Sequence, residues 1–254
     1  MQKKALFVVT SNDNLGNTGR KTGWHLSEVS HVYWPLINAG FKIDFASPRG
    51  GKAPVDPESM KLDDAENKSF VDKFKISDGL NTHALWDINP DDYGVIYFAG
   101  GHGTMWDFPD NEDVQRLVSS IYETGGIVAA VCHGPSALLN VQLSDGKYLI
   151  ENREINSFTD SEEEEVKAQD IVPFLLESKL RERGANFQPG DNWANKVVVD
   201  GRLITGQNPQ SASSLGEAIV RNFAGLDQIK KDGTARMTQE NKRGPDEHHS
   251  RVGG

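Results

Sequence analysis

One cysteine, Cys132, stands among 254 residues. A single thiol cannot close an intrachain disulfide, so packing must hold the fold, and a reducing, cytoplasmic setting is the expectation. Long apolar runs are missing too: nothing approaches the ~18 consecutive apolar residues of a membrane span. The apolar stretch Ala5 to Thr10, after a short basic start, is too brief for a secretory signal and reads as a first strand. Positive charge is scarce. Lys and Arg number 27 against 37 Asp and Glu, a formal net charge of −10. That balance argues against nucleic-acid partners, whose phosphates need clustered cations, and against docking on anionic membranes. No His, Cys and acidic residues fall at zinc spacing. Gly16 to Thr22 (GNTGRKT) misses the glycine and lysine spacing of a phosphate loop, so neither metal nor other cofactor is expected.

What is present is a β-α-β pattern. Lys4 to Thr10 (KALFVVT) has the look of a strand buried on both faces of a parallel sheet. A polar loop to Gly23 leads into a helix from about Trp24 to Ala39. Its apolar stripe is Leu26, Val29, Val32, Tyr33, Leu36 and Ile37, and Gly40 is the stop. Phe41 to Ala46, Tyr93 to Phe98, Gly126 to Val131, Lys196 to Val199 and Leu203 to Thr205 read as further strands. Helices are expected at Val114 to Thr124, from Gly134 onward, around 161 to 183, and at Ser211 to Phe223. Residues 49 to 82, rich in charge and with Pro54 and Pro57, read as an insertion carrying a short helix. A single α/β domain over 1–229 is expected, with a flexible tail over 230–254.

A lone cysteine is more often a small buried hydrophobe than a nucleophile, so its surroundings must make the case. In Ala129-Ala130-Val131-Cys132-His133-Gly134-Pro135 an apolar strand stops abruptly and a helix begins, with small residues permitting a sharp turn. Sulfur on such an elbow would sit at a helix N-terminus, where thiolate is favoured and free N–H groups can bind an oxyanion. Gly100-Gly101-His102-Gly103 ends the neighbouring strand, and in a parallel sheet both strand ends open on the same crevice. Glycine there lets a backbone N–H approach substrate oxygen. Glu28 borders the apolar stripe of the first helix. It is either a solvated surface carboxylate or a group in a partly dry crevice, whose pKa would rise so that it carries a proton. The acidic run Glu162 to Glu165 most simply opens a helix capped at Thr159, Asp160 or Ser161.

Further segments align with these: Lys21-Thr22-Gly23 before Glu28, Thr104 with Asp107 and Pro109, Phe158-Thr159-Asp160, and Thr205-Gly206-Gln207-Asn208-Pro209. Together, over about residues 3 to 224, they resemble the ThiJ/PfpI superfamily. Its fold is flavodoxin-like and class I glutamine-amidotransferase-like: a doubly wound, mostly parallel sheet with helices on both faces and small insertions. The likeness is to the branch of glutathione-independent glyoxalases that double as stress chaperones. The resemblance implies Cys132 as nucleophile, Glu28 as its proton-handling partner, and His133 oriented by Glu163. It assigns the oxyanion or substrate contacts to Gly100, Gly101, His102 and the His133 amide. It further implies turnover of methylglyoxal or a related 2-oxoaldehyde to D-lactate without cofactor, a homodimer, and an affinity for unfolded proteins. Competing readings are a holding chaperone or cysteine-oxidation sensor, and a cysteine hydrolase or peptidase. A glutaminase would need a downstream histidine, and after His133 only His248 and His249 remain, in the tail.

Overall fold

In the computed structural model, which describes residues 1–242, the apolar run KALFV forms β1 (Lys4–Val8) at the centre of an eight-stranded sheet. Side chains of a strand alternate between faces, and both faces here are covered. Ala5 and Phe7 enter one apolar cluster and Leu6 and Val8 the other, all fully buried.

The chain winds first to one side of β1 through α1 (Leu26–Asn38), β2 (Lys42–Ser47), β3 (Gly51–Pro54), α2 (Ala65–Phe74) and β4 (Gly79–Ala84). It then crosses to the other side with β5 (Val95–Phe98), α3 (Thr104–Asp107), α4 (Glu112–Glu123) and β6 (Ile127–Val131). After these come β7 (Glu154–Ile155), α5 (Asp160–Glu165), α6 (Leu176–Glu182), β8 (Asn186–Phe187), β9 (Val197–Asp200), β10 (Leu203–Gly206) and α7 (Ala212–Lys242). The strand order is β3-β4-β2-β1-β5-β6-β10-β9. The six inner strands are parallel and the edges β3 and β9 antiparallel, while β7 and β8 pair separately. Helices α1, α2 and α7 bury their apolar faces on one side of the sheet, α4 and α6 on the other. This is the doubly wound, mostly parallel architecture that the β-α-β order implies. Winding direction reverses between β1 and β5, so the crevice at their carboxyl ends is where such a sheet binds ligands.

Four segments differ from the sequence expectation. The insertion 49–82 holds not only a helix but two strands, β3 and β4, which extend the sheet edge. Their residues GKAP and GLNTHA have weak strand propensity, and pairing to β2 overrides it. Gly134 opens a 3₁₀ turn that ends at Leu138, not an α-helix. The charged stretch 161–183 is two short helices, because Lys167 turns left-handed (φ +58°) behind α5 and Pro173 follows. Finally, α7 does not end near Phe223. The stretch expected to be a flexible tail stays helical through Lys242, helped by i,i+4 pairs such as Asp227–Lys231 (2.9 Å) and Gln228–Asp232 (2.9 Å). Residues 243–254 of that expected tail lie outside the described residues.

Candidate active site

β6 ends in Cys132, whose φ of +61° is a left-handed conformation uncommon for a residue with a side chain. Such backbone costs of order 1–3 kcal/mol and persists only where the surroundings impose it. Here Cys132 N–H donates to Gly206 O (2.9 Å) and its carbonyl accepts from Phe158 N–H (2.8 Å), so both neighbouring loops pin the elbow. The thiol is nearly sealed, at 4% residue exposure.

Glu28, on the first turn of α1, is fully buried beside that sulfur, not solvated. Two groups of the β5 segment place it. Tyr97 Oη donates to the Glu28 backbone carbonyl (2.6 Å), and Gly100 N–H donates to Glu28 Oε2 (2.6 Å). Oε1 is buried with no partner. Burial raises the carboxyl from its usual 4.5 to about 8, against the lowering effect of Cys132 and Gly100. Glu28 therefore holds a proton at neutral pH. Burial, then the neighbouring Glu28, push the Cys132 thiol up as well. This corrects the expectation of a helix-stabilised thiolate. The segment after Cys132 is only a five-residue 3₁₀ turn, too short to supply the field of an α-helix.

His133 supplies a base instead. Its Nδ1 lies 3.5 Å from Cys132 Sγ and its Nε2 2.6 Å from Glu163 Oε2. The other Glu163 oxygen takes His102 Nε2, also at 2.6 Å. Burial alone would raise Glu163, but His133 and His102 outweigh it and hold the carboxyl well below the usual carboxylate range. Burial keeps His133 below its ordinary value despite the pull of Glu163. The consistent state is anionic Glu163 accepting two N–H bonds. The protons then sit on the two Nε2 atoms, and His133 Nδ1 turns a lone pair toward the thiol. The rings pack at a tilt, His102 on His133 with centroids 4.2 Å apart and His133 on Phe158 at 4.4 Å.

Both glycines of the second loop are sterically required. A Cβ on Gly101 (φ +104°) would lie 2.1 Å from Gly23 O. One on Gly100 would lie 2.5 Å from Glu28 Oε2 and 2.8 Å from Cys132 Cβ. Thr104 Oγ1 binds the carbonyls of Gly101 (3.0 Å) and His133 (3.1 Å). The Gly101 amide donates to no acceptor among the described residues, and the His133 amide faces the Cys132 sulfur. The Gly100 amide, expected at substrate oxygen, is spent on Glu28. His102, also expected there, binds Glu163 with its ring about one-fifth exposed.

A cavity of about 250 Å³ opens onto this cluster, lined by Cys132, Gly101, His102 and His25, with Phe158 and Trp193 as its aromatic wall. Neither His25 nor Trp193 stands in a sequence motif, so nothing in the sequence marks them for the cavity. Glu162 completes a capping box with Thr159, and its Oε1 takes Trp193 N–H (2.8 Å), Gln207 Nε2 (3.1 Å) and Asn208 Nδ2 (2.9 Å). It fixes α5, and with it Glu163. His102, His133 and Glu163 place three ligand-type atoms within 4.8 Å of one another. The two 2.6 Å contacts between them are hydrogen-bond distances, and metal coordination would require both protons to leave.

A doubly wound sheet bearing a cysteine on a strained strand-to-turn elbow, a buried acid beside it and a His–Glu pair behind it defines a narrow class of α/β proteins. The chain belongs to one family of that class, the DJ-1/PfpI family, whose model matches residues 22–222. It is similar to Glyoxalase 3 of Candida albicans, 32% identical over 236 residues, with 87% of this chain and 98% of that protein covered. It also resembles the glutathione-independent glyoxalase HSP31 of Saccharomyces cerevisiae, 36% identical over 224 residues, covering 84% and 94%. Among solved structures, glyoxalase III of Candida albicans superposes with a TM-score of 0.80 at 31% identity, covering 86% of this chain and 96% of that one. The Rapid Encystment Protein of Francisella tularensis superposes at 0.81 and 40% identity, covering 86% and 98%.

Proposed function

We propose that this protein is a glutathione-independent glyoxalase that converts methylglyoxal or a related 2-oxoaldehyde to D-lactate or its homologue. The observation that carries this reading is a proton-holding Glu28 beside the only cysteine, itself backed by a neutral imidazole. Relatives bearing that activity in their names, matched over nearly their whole length, support it.

The sequence begins when Cys132 sulfur adds to the aldehyde carbon C1. The thiol proton passes to His133 Nδ1, and the Glu28 proton goes to the former aldehyde oxygen, with the Gly101 amide aimed at that charge. The hemithioacetal C1–H proton then moves to the Glu28 carboxylate, and its electron pair forms C1=C2 as charge gathers on the ketone oxygen. Glu28 returns the proton to C2, the hydroxyl proton at C1 moves to the oxygen on C2, and a thioester results. Water attacks the thioester, giving one proton to Glu28; sulfur leaves and recovers its proton from His133. Every proton is accounted for, and the net change is the addition of one water.

Purified protein incubated with methylglyoxal, without glutathione, should yield D-lactate, and Cys132→Ala should abolish it. Absence of product at micromolar enzyme would overturn the reading. The proposal extends to a homodimer in the cytoplasm that also holds unfolded proteins. Sedimentation, cell fractionation and aggregation of a client protein with the Cys132→Ala variant test these parts separately. No helix among the described residues is long and apolar enough to cross a membrane.

A further inference from the structure

The N-terminus of α1 carries an imidazole that the reaction sequence above leaves unused. His25 is the N-cap of α1, three residues before Glu28. Its backbone N–H donates to Gly100 O (3.2 Å) and its carbonyl accepts from Glu28 N–H (3.2 Å), so it is tied both to Glu28 and to the loop that holds the Glu28 carboxyl. Its ring makes no hydrogen bond among the described residues. Nδ1 is sealed from solvent with nothing to meet, and the ring lines the same cavity as Cys132 and Gly101. A buried polar atom without a partner is uncommon enough to need a reason.

The sealed nitrogen fixes the tautomer. A proton on Nδ1 would be an orphaned buried donor, the rarer and costlier defect. The proton therefore belongs on Nε2, the nitrogen left to the cavity. Burial, reinforced by the nearby Lys61 ammonium, pushes the ring down to about 3, so it stays neutral at working pH and acts as a donor, not as a charge.

We propose that His25 is a further catalytic residue, whose Nε2–H donates to the ketone oxygen of the Cys132-bound hemithioacetal. This rests on the glyoxalase reading. The intermediate has two oxygens. The one on C1 is served by Glu28 and the Gly101 amide, while the one on C2 gains charge when the C1–H pair moves into the C1=C2 bond. No group of the Cys132–His133–Glu163 set is assigned to it. His25 supplies a hydrogen bond at that moment and gives up no proton, so the balance of the reaction is unchanged.

The test is steady-state turnover of methylglyoxal by wild type, His25→Ala, His25→Gln and Cys132→Ala, together with alkylation of Cys132 by iodoacetamide. Removing one donor from a developing oxyanion costs about 10²–10³ in kcat. His25→Ala should show that loss with KM within a few-fold and an alkylation rate close to wild type. His25→Gln, a neutral donor of similar reach, should recover at least about tenfold of it. A purely structural role predicts instead that alkylation changes in step with turnover and that Gln rescues nothing; that result overturns the proposal. So does a His25→Ala enzyme within about threefold of wild type. Failure of the glyoxalase reading is separately visible, as wild-type protein that makes no D-lactate or a Cys132→Ala variant that still does, and the proposal falls with it.

Discussion

The Gly100 amide donates to Glu28 Oε2 at 2.6 Å, so the loop after β5 holds the carboxyl that faces the cysteine at the end of β6. That short contact joins the first turn of α1 to the β5 loop, beside the elbow. It also distinguishes the two carboxyl oxygens, one anchored and one without a partner. The arrangement has no room for a side chain at position 100.

Gly100→Ala should consequently damage the chemistry more than the fold. Its new Cβ would lie 2.5 Å from Glu28 Oε2, 2.8 Å from Cys132 Cβ and 2.9 Å from His133 N, so both the carboxyl and the elbow that carries the sulfur must shift. We expect turnover to fall by at least about 10²-fold, the usual worth of a positioned acid or base, with D-lactate formation as the readout. Overpacking costs about 1–3 kcal/mol, which thermal unfolding would register as a drop of about 2–12 °C.

Glu28→Gln separates stability from activity through pH. In the unfolded chain Glu28 ionises near 4.5, and in the native site only at about 8. Between these values the unfolded state has lost a proton that the native state keeps, so wild-type stability falls as pH rises across that window. Glutamine keeps an acceptor for Gly100 N–H and does not titrate. The variant should match wild type at pH 4 and exceed it at pH 8, by an amount on the order of a few kcal/mol. Chemical denaturation at the two pH values measures this; equal differences at both would contradict a proton on Glu28. The same ionisation should make wild-type kcat/KM decline above pH about 8, because the first step consumes that proton.

The fold was legible because β1, β5 and β6 are apolar runs whose alternate residues both find cover, and that pattern needs no long-range information. The elbow was legible from the small residues around Cys132. What could not be read was the sign of the thiol shift. It depends on how completely Cys132 and Glu28 are sealed, and on Gly134–Leu138 being a 3₁₀ turn. The edge strands β3 and β4 escaped for a similar reason, since their pairing partner and not their composition makes them strands. The role of Glu163 came from resemblance, because within EEEE four neighbours look alike. Structure distinguishes them by burial: Glu162 and Glu163 point inward, Glu164 and Glu165 outward.

Glu163→Gln should cost more than His102→Asn. An amide at 163 cannot accept two N–H bonds as a carboxylate does, so the His133 ring loses both its charge partner and the tautomer that leaves Nδ1 open to the thiol. Analogous loss of a tautomer-fixing carboxylate lowers kcat by about 10⁴. His102→Asn leaves the Glu163–His133 bond intact, and a loss of tenfold or less is expected. Comparable losses in both variants would show that His102 takes part in the chemistry directly.

The strain at the elbow can itself be measured. Cys132 adopts φ +61°, where any residue with a Cβ is penalised and glycine is not. Cys132→Ala and Cys132→Gly both remove the sulfur and should both be inactive, so they differ only in backbone preference and one methyl group. At an ordinary buried strand end, alanine would be the more stable by its buried carbon and its less flexible unfolded chain. At this elbow the left-handed penalty of about 1–2 kcal/mol works the other way. We expect Cys132→Gly to unfold at a temperature equal to or above that of Cys132→Ala. An alanine variant clearly the more stable of the two would mean that the turn relaxes once the sulfur is gone, and that the wild-type geometry is held by the Cys132–Glu28 contact rather than by the surrounding loops.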